Sequence, residues 1–143
     1  MVGCIAYKGG YKYQLKHEYL VLIPVRPPAP IVTEFVSLDA VGMLRLKAGY
    51  AWDGPSGPTR DSPSFMRGSL VHDALYQLMR ERHLDRATHR GPADELLREM
   101  CRADGMSAIR AWWVYRGLRL FADPAADRAA DRPLTFVPTG CRA

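Results

Sequence analysis

The sequence predicts an α+β fold, a small N-terminal antiparallel sheet followed by a three-helix subdomain that contains a His-Asp helix pair. Three observations carry that prediction. Apolar residues alternate with polar ones up to about Tyr50, the stretch 49–64 is crowded with Gly and Pro, and beyond it apolar residues recur every third or fourth position. A run of strands followed by a run of helices is the pattern of α+β architecture.

The elements follow in chain order. Tyr11–His17 alternates apolar and polar, the mark of a half-buried strand. Glu18–Val25 is a more continuous apolar strand, closed by Pro24 and by the connection Pro27-Pro28-Ala29-Pro30, since prolines cannot donate to a ladder. Val32–Leu38 is rich in β-formers, and Met43–Lys47 alternates again after the turn signal Asp39-Ala-Val-Gly42, so these two runs are expected to pair as a hairpin. Gly49–Ser64 reads as a loop, because no period survives its glycines and prolines. Ser64 is expected to cap a helix reaching about Arg82, with Val71, Ala74, Leu75, Leu78 and Met79 as its apolar stripe. Gly91-Pro92 is expected to open a second helix whose inner face carries Ala93, Leu96, Leu97, Met100 and Cys101, and Asp104-Gly105 to end it. Ser107 caps a third, Ala108 to about Phe121, apolar nearly all round and therefore expected to be largely buried. Its adjacent Trp112 and Trp113 face different sides, one toward the core and one free to anchor a partner or a lipid interface. Residues 1–122 are expected to form a single domain, and 123–143 a tail that hugs the surface or hangs loose.

Composition narrows the function. The chain has 143 residues and 16.0 kDa, room for one core. Lys and Arg number 20 against 15 Asp and Glu, a net charge of +5 that suits an anionic partner. The nine arginines between Arg80 and Arg119 should mostly form solvated faces, and no nucleic-acid-binding motif accompanies them, so specific nucleic-acid recognition is not expected. Cys4, Cys101 and Cys141 are few and odd in number, which excludes a disulfide scaffold and favours a reducing compartment. The longest apolar run, Tyr19–Val25, is far too short for a transmembrane segment, and no secretion signal is seen.

The chemistry-bearing residues gather where the two halves meet. His72, Leu75, Tyr76 and Met79 share one helix side at spacings of three and four, so His72 borders the buried stripe. Asp94 shares a side with Leu97 and Cys101 on the next helix. An imidazole and a carboxylate on inward faces of adjacent helices should meet, because neither tolerates burial unpaired. His72 and Asp94 are therefore expected to form a dyad with Tyr76 closing the network, in which the carboxylate fixes the tautomer and leaves the other ring nitrogen as a base. The alternative is that the same network is a structural device only, a common way to satisfy a half-buried histidine. In the loop Trp52-Asp53-Gly54-Pro55-Ser56-Gly57-Pro58, glycine carbonyls can turn inward, so Asp53, Gly54 and Gly57 with Asp73 form a candidate Ca²⁺ site. The alternative is tight-turn chemistry with Trp52 as a buried plug.

Two resemblances rest on these residues. Tyr50-Ala-Trp-Asp-Gly-Pro-Ser-Gly-Pro58, then Phe65-Met-Arg-Gly-Ser-Leu-Val-His-Asp-Ala-Leu-Tyr76 and Ala93-Asp94, resembles a family of small phage and prophage proteins without an assigned activity. It implies a virion or assembly component in the host cytoplasm or the virion, with other phage structural proteins as partners. The Gly-rich loop, Val71-His72-Asp73, Tyr76 and the second-helix Asp94 are also similar to the core of secreted phospholipase A2. That likeness implies a Ca²⁺-assisted ester hydrolase acting on host envelope lipid. In it His72 is the general base, Asp94 orients it, and Asp73 with the carbonyls of Gly54 and Gly57 holds the metal. Where that family has cysteines around the pair, this chain has Ser69, Ala74, Leu75 and Ala93, and prolines interrupt its loop.

Overall fold

Short alternating runs build strands here because each buries one side chain in two against the helices that follow. The computed structural model describes residues 5–7, 13–53, 62–121 and 135–137. Strand β1 (Ile5–Tyr7) pairs antiparallel with β8 (Thr135–Val137), so part of the predicted tail returns to the N-terminal strand. Strand β2 (Tyr13–Gln14) pairs with β7 (Ala51–Trp52), a short strand inside the segment predicted as loop. The tilted stacking of Tyr13 on Trp52, ring centroids 5.6 Å apart, accompanies that pairing.

The main sheet has four antiparallel strands in the order β3 (Tyr19–Leu22), β6 (Met43–Leu46), β5 (Val36–Leu38), β4 (Ile31–Val32). The predicted hairpin is present, with Leu38 opposite Leu44 and Val36 opposite Leu46. All four of these side chains are fully buried, each contributing about 1.5–3 kcal/mol relative to exposure. The single predicted strand 32–38 is instead two, because Thr33 folds the chain back, its hydroxyl donating to the Val36 carbonyl at 2.7 Å. At the hairpin turn the Asp39 carboxylate accepts from Val41 N and Met43 N at 3.1 and 2.9 Å. Gly42 there has φ +94° and lies so close to the Ile23 carbonyl that a Cβ would stand 2.3 Å from its oxygen. Only glycine fits.

Helix α1 (Pro63–Arg80) starts one residue before the predicted cap, with Ser62 at the N-cap and Pro63 in the first turn, where its missing N–H costs nothing. Helix α2 (Arg86–Ala103) begins a turn and a half earlier than Gly91-Pro92 suggests. Asp85 is its cap, accepting from Thr88 N at 2.8 Å, and Pro92 lies inside the helix on an exposed position. Helix α3 (Ala108–Phe121) begins after Ser107, whose hydroxyl accepts from Arg110 N at 3.2 Å. The expectation that α3 is largely buried is corrected. Ala111 and Val114 face inward, whereas Ile109, Trp112, Trp113 and Leu120 are exposed, so neither tryptophan belongs to the core.

The main core lies between the sheet and α1, with Ala93, Leu96 and Met100 of α2 completing it. A second cluster, Phe65, Leu97, Cys101, Met106, Ala111 and Val114, joins α3 to the other helices.

Candidate functional site

Close packing of α1 on α2 brings the site residues together. Gly68 permits that approach: a Cβ on it would stand 2.7 Å from Leu97 Cδ1 and 3.2 Å from Cys101 Sγ. One turn further along α1, the His72 Nε2 lies 2.8 Å from Asp94 Oδ1. The Tyr76 hydroxyl donates to the same oxygen at 2.5 Å, and the His72 and Tyr76 rings lie 4.1 Å apart between centroids. The other carboxylate oxygen of Asp94 faces Arg119 Nη1 of α3 at 3.3 Å. The sequence-predicted dyad and its tyrosine therefore assemble, and one carboxylate receives groups from two other helices.

Burial and charge set the protonation states. Asp94 is fully buried. Desolvation alone would raise its pKa, yet the bonds from His72 and Tyr76 outweigh it and hold the carboxyl below its ordinary value. Burial likewise pulls the His72 imidazole down, but the Asp73 and Asp94 carboxylates on either side raise it above the ordinary histidine value. Burial, reinforced by Asp94, keeps the Tyr76 phenol protonated as a donor. With Asp94 ionised, Nε2 carries a proton toward it, and Nδ1 is the ring nitrogen left for other chemistry. Nδ1 faces Asp73 Oδ1 at 4.0 Å, too far for a hydrogen bond and close enough for its charge to act.

Trp52 is anchored as expected. Trp52 is 8% exposed, and its indole N–H donates to Ser69 Oγ at 3.3 Å, tying β7 to α1. Asp53 is partly buried beside it. Gly54 and Gly57 lie outside the described residues. Among the described residues, no three His, Cys, Asp or Glu side chains form a group able to hold a metal. Of the expected Ca²⁺ ligands, Asp73 is thus placed next to the dyad, and its carboxylate is about one-third exposed. Cys101 is buried with its thiol pushed up to about 11 by desolvation, which suits packing and not nucleophilic attack.

Two participants were not legible in the sequence. Arg119 reaches from α3 to Asp94 on α2, and Arg90 donates to the Leu118 and Arg119 carbonyls at 2.7 and 3.0 Å, fixing the end of α3 beside the dyad. Both sit in a run of arginines that reads as a solvated face, and no spacing separates them from their neighbours. No protein-family model, curated protein or solved structure matches the chain.

Proposed function

We propose that the protein is a phage or prophage component whose His72–Asp94 centre activates a water for attack on an ester, with host envelope phospholipid as the substrate class. The source and substrate class rest on the two motif resemblances. The reaction rests on one observation: Asp94 engages Nε2, so Nδ1 looks across 4.0 Å to the Asp73 carboxylate. One water accepted between Nδ1 and Asp73 makes a hydrogen bond to each.

In this reading Nδ1 takes a proton from that water as its oxygen adds to the ester carbonyl carbon. The imidazolium that results is held by ionised Asp94, which does not itself take the proton. Collapse of the tetrahedral species breaks the bond to the alcohol oxygen, and the imidazolium returns its proton to that leaving group. Tyr76 and Arg119 keep the Asp94 carboxylate charged and aligned throughout. Ca²⁺ is the cofactor of this reading, since carboxylate and carbonyl oxygens are its ligands. Asp73 and Asp53, with the carbonyls of Gly54 and Gly57, would hold it, and it would stabilise negative charge on the ester oxygen.

The second reading is a non-catalytic virion or assembly component, and the complete burial of Asp94 between three helices favours it. One experiment separates the two. Hydrolysis of phospholipid vesicles and of a generic aryl ester is followed with and without Ca²⁺, for wild type and His72→Gln, beside a melting curve for each. The expected result is wild-type cleavage that falls by about 10²–10⁴-fold in His72→Gln while the fold persists, since glutamine keeps one bond to Asp94. A wild type that cleaves neither substrate, with a variant that only melts lower, overturns the hydrolase and leaves the structural component.

A further inference from the structure

We infer that the outer face of α3 is a docking surface for an anionic lipid bilayer. Ile109, Trp112, Trp113, Arg116 and Leu120 fall at helical spacings within about 100° of arc. Their exposures confirm a single open face: 73% for Ile109, 42% and 65% for Trp112 and Trp113, and 62% for Leu120. The opposite side of the same helix is the one that packs, through Ala111, Val114 and Leu118. A helix with this division is amphipathic in reverse, keeping its larger aromatic residues outside.

Charge chooses the occupant. Helix α3 carries Arg110, Arg116 and Arg119 and no acidic residue, within a chain of net charge +5. Arg116 sits in the middle of the apolar face, its guanidinium 5.8 Å from the Trp112 ring centre. Two copies of the chain meeting face to face about a twofold axis would press Arg116 against Arg116 in a drying interface, which like-charge repulsion opposes. An anionic bilayer resolves the same pattern. Indoles settle at the headgroup boundary, Ile109 and Leu120 enter the acyl region, and Arg116 meets lipid phosphate. The edge-on packing of Trp112 against Trp113, with centroids 5.0 Å apart, presents both rings as one wedge.

The full chain is tested by co-sedimentation with vesicles of phosphatidylglycerol and phosphatidylcholine, against pure phosphatidylcholine, at low and high salt. Binding is expected to the anionic vesicles with a blue shift of tryptophan emission, and to weaken by about tenfold or more in pure phosphatidylcholine or high salt. Trp112→Ser with Trp113→Ser should abolish the shift and most of the binding without lowering the melting temperature, because both rings are exposed. Arg116→Gln should weaken binding about fivefold, the share of one surface cation. His72→Gln should bind as wild type does, so failure of the hydrolase reading and failure of the docking surface are separate results. Wild type that ignores anionic vesicles, or binds them equally after the tryptophan and arginine substitutions, overturns the inference. So does a wild-type dimer in ultracentrifugation that the tryptophan substitutions dissolve, which would make a second copy the occupant.

Discussion

Asp94 keeps a charge in a fully buried position, and the pH dependence of the whole site follows from how it does so. His72 bonds to it and Tyr76 donates to it, and these bonds overcome its desolvation. Because the His72 pKa is raised on folding, its contribution is fully present below the unfolded value of about 6.5 and is lost as pH rises through the folded value. Because the Asp94 pKa is depressed, its contribution is present above about 3.9 and is lost as pH falls through the folded value. The ion pair should therefore stabilise most between about pH 4 and pH 6.5. Denaturant unfolding of wild type and His72→Gln across pH 4–9 checks this. The stability gap is expected to narrow above the ordinary histidine value, and a gap that stays constant would mean that His72 remains neutral throughout. Tyr76→Phe should cost about 1.5–3 kcal/mol, the loss of one hydrogen bond to a charged group, read as a lower midpoint with unchanged slope. His72, Tyr76 and Asp94 were legible because each borders an apolar stripe at helical spacing, which forces polar partners upon them. Arg119 was not, because a long side chain can reach a buried carboxylate from a position whose neighbours say nothing about it.

The helices show where local chemistry speaks clearly and where it misleads. Helices α1 and α2 end in the same way. The residue after each C-cap takes a positive φ, and two backbone N–H groups fold back onto the last carbonyls: Arg82 N to Met79 O and His83 N to Leu78 O, then Gly105 N to Arg102 O and Met106 N to Cys101 O. Gly105 announces its end in the sequence, but Arg82, at φ 63°, does not. A side chain in that conformation costs about 1 kcal/mol, so Arg82→Gly should raise stability by a few tenths to 1 kcal/mol after the greater freedom of the unfolded chain is counted. Thermal melting decides it, and a lowered midpoint would mean that the Arg82 side chain contributes more than its strain removes. Gly68 behaves oppositely. Alanine is the better helix former by about 1 kcal/mol, yet its methyl would press on Leu97 and Cys101, both buried at the α1–α2 contact. Overpacking should win, with Gly68→Ala destabilising by about 1–3 kcal/mol. Pro92 misplaced the start of α2 because proline favours first turns, whereas the Asp85 cap with Thr88 dictates it. The apolar composition of α3 misplaced its tryptophans for a different reason: hydrophobicity all round a helix does not require burial all round.

At the scale of the molecule, the two hydrophobic clusters divide the labour unequally. Sheet, α1 and part of α2 share the larger one, and the Trp52–Ser69 bond and the Arg67–Asp104 pair, 2.8 Å apart, tie these elements further. Helix α3 belongs to the smaller cluster, and its C-terminal end is held by Arg90 on the backbone and by Arg119 on Asp94. The α+β class and the order of sheet before helices were readable because periodicity changes once along the chain, while this inequality was not, since it depends on which side of α3 faces inward. Elements with fewer buried contacts open at lower free energy. Amide exchange is therefore expected to be fastest among the helices in α3 and slowest in β5, β6 and the centre of α1. Arg90→Met should speed exchange of the last turn of α3 severalfold while leaving β5 and β6 unchanged, because it removes the donors that cap the Leu118 and Arg119 carbonyls. The same variant should disturb the site, since Arg119 would lose the backbone position from which it reaches Asp94, and the ring resonances of His72 should shift with it. Uniform acceleration across all elements would show instead that α3 opens only with the whole molecule, and that the two clusters act as one core.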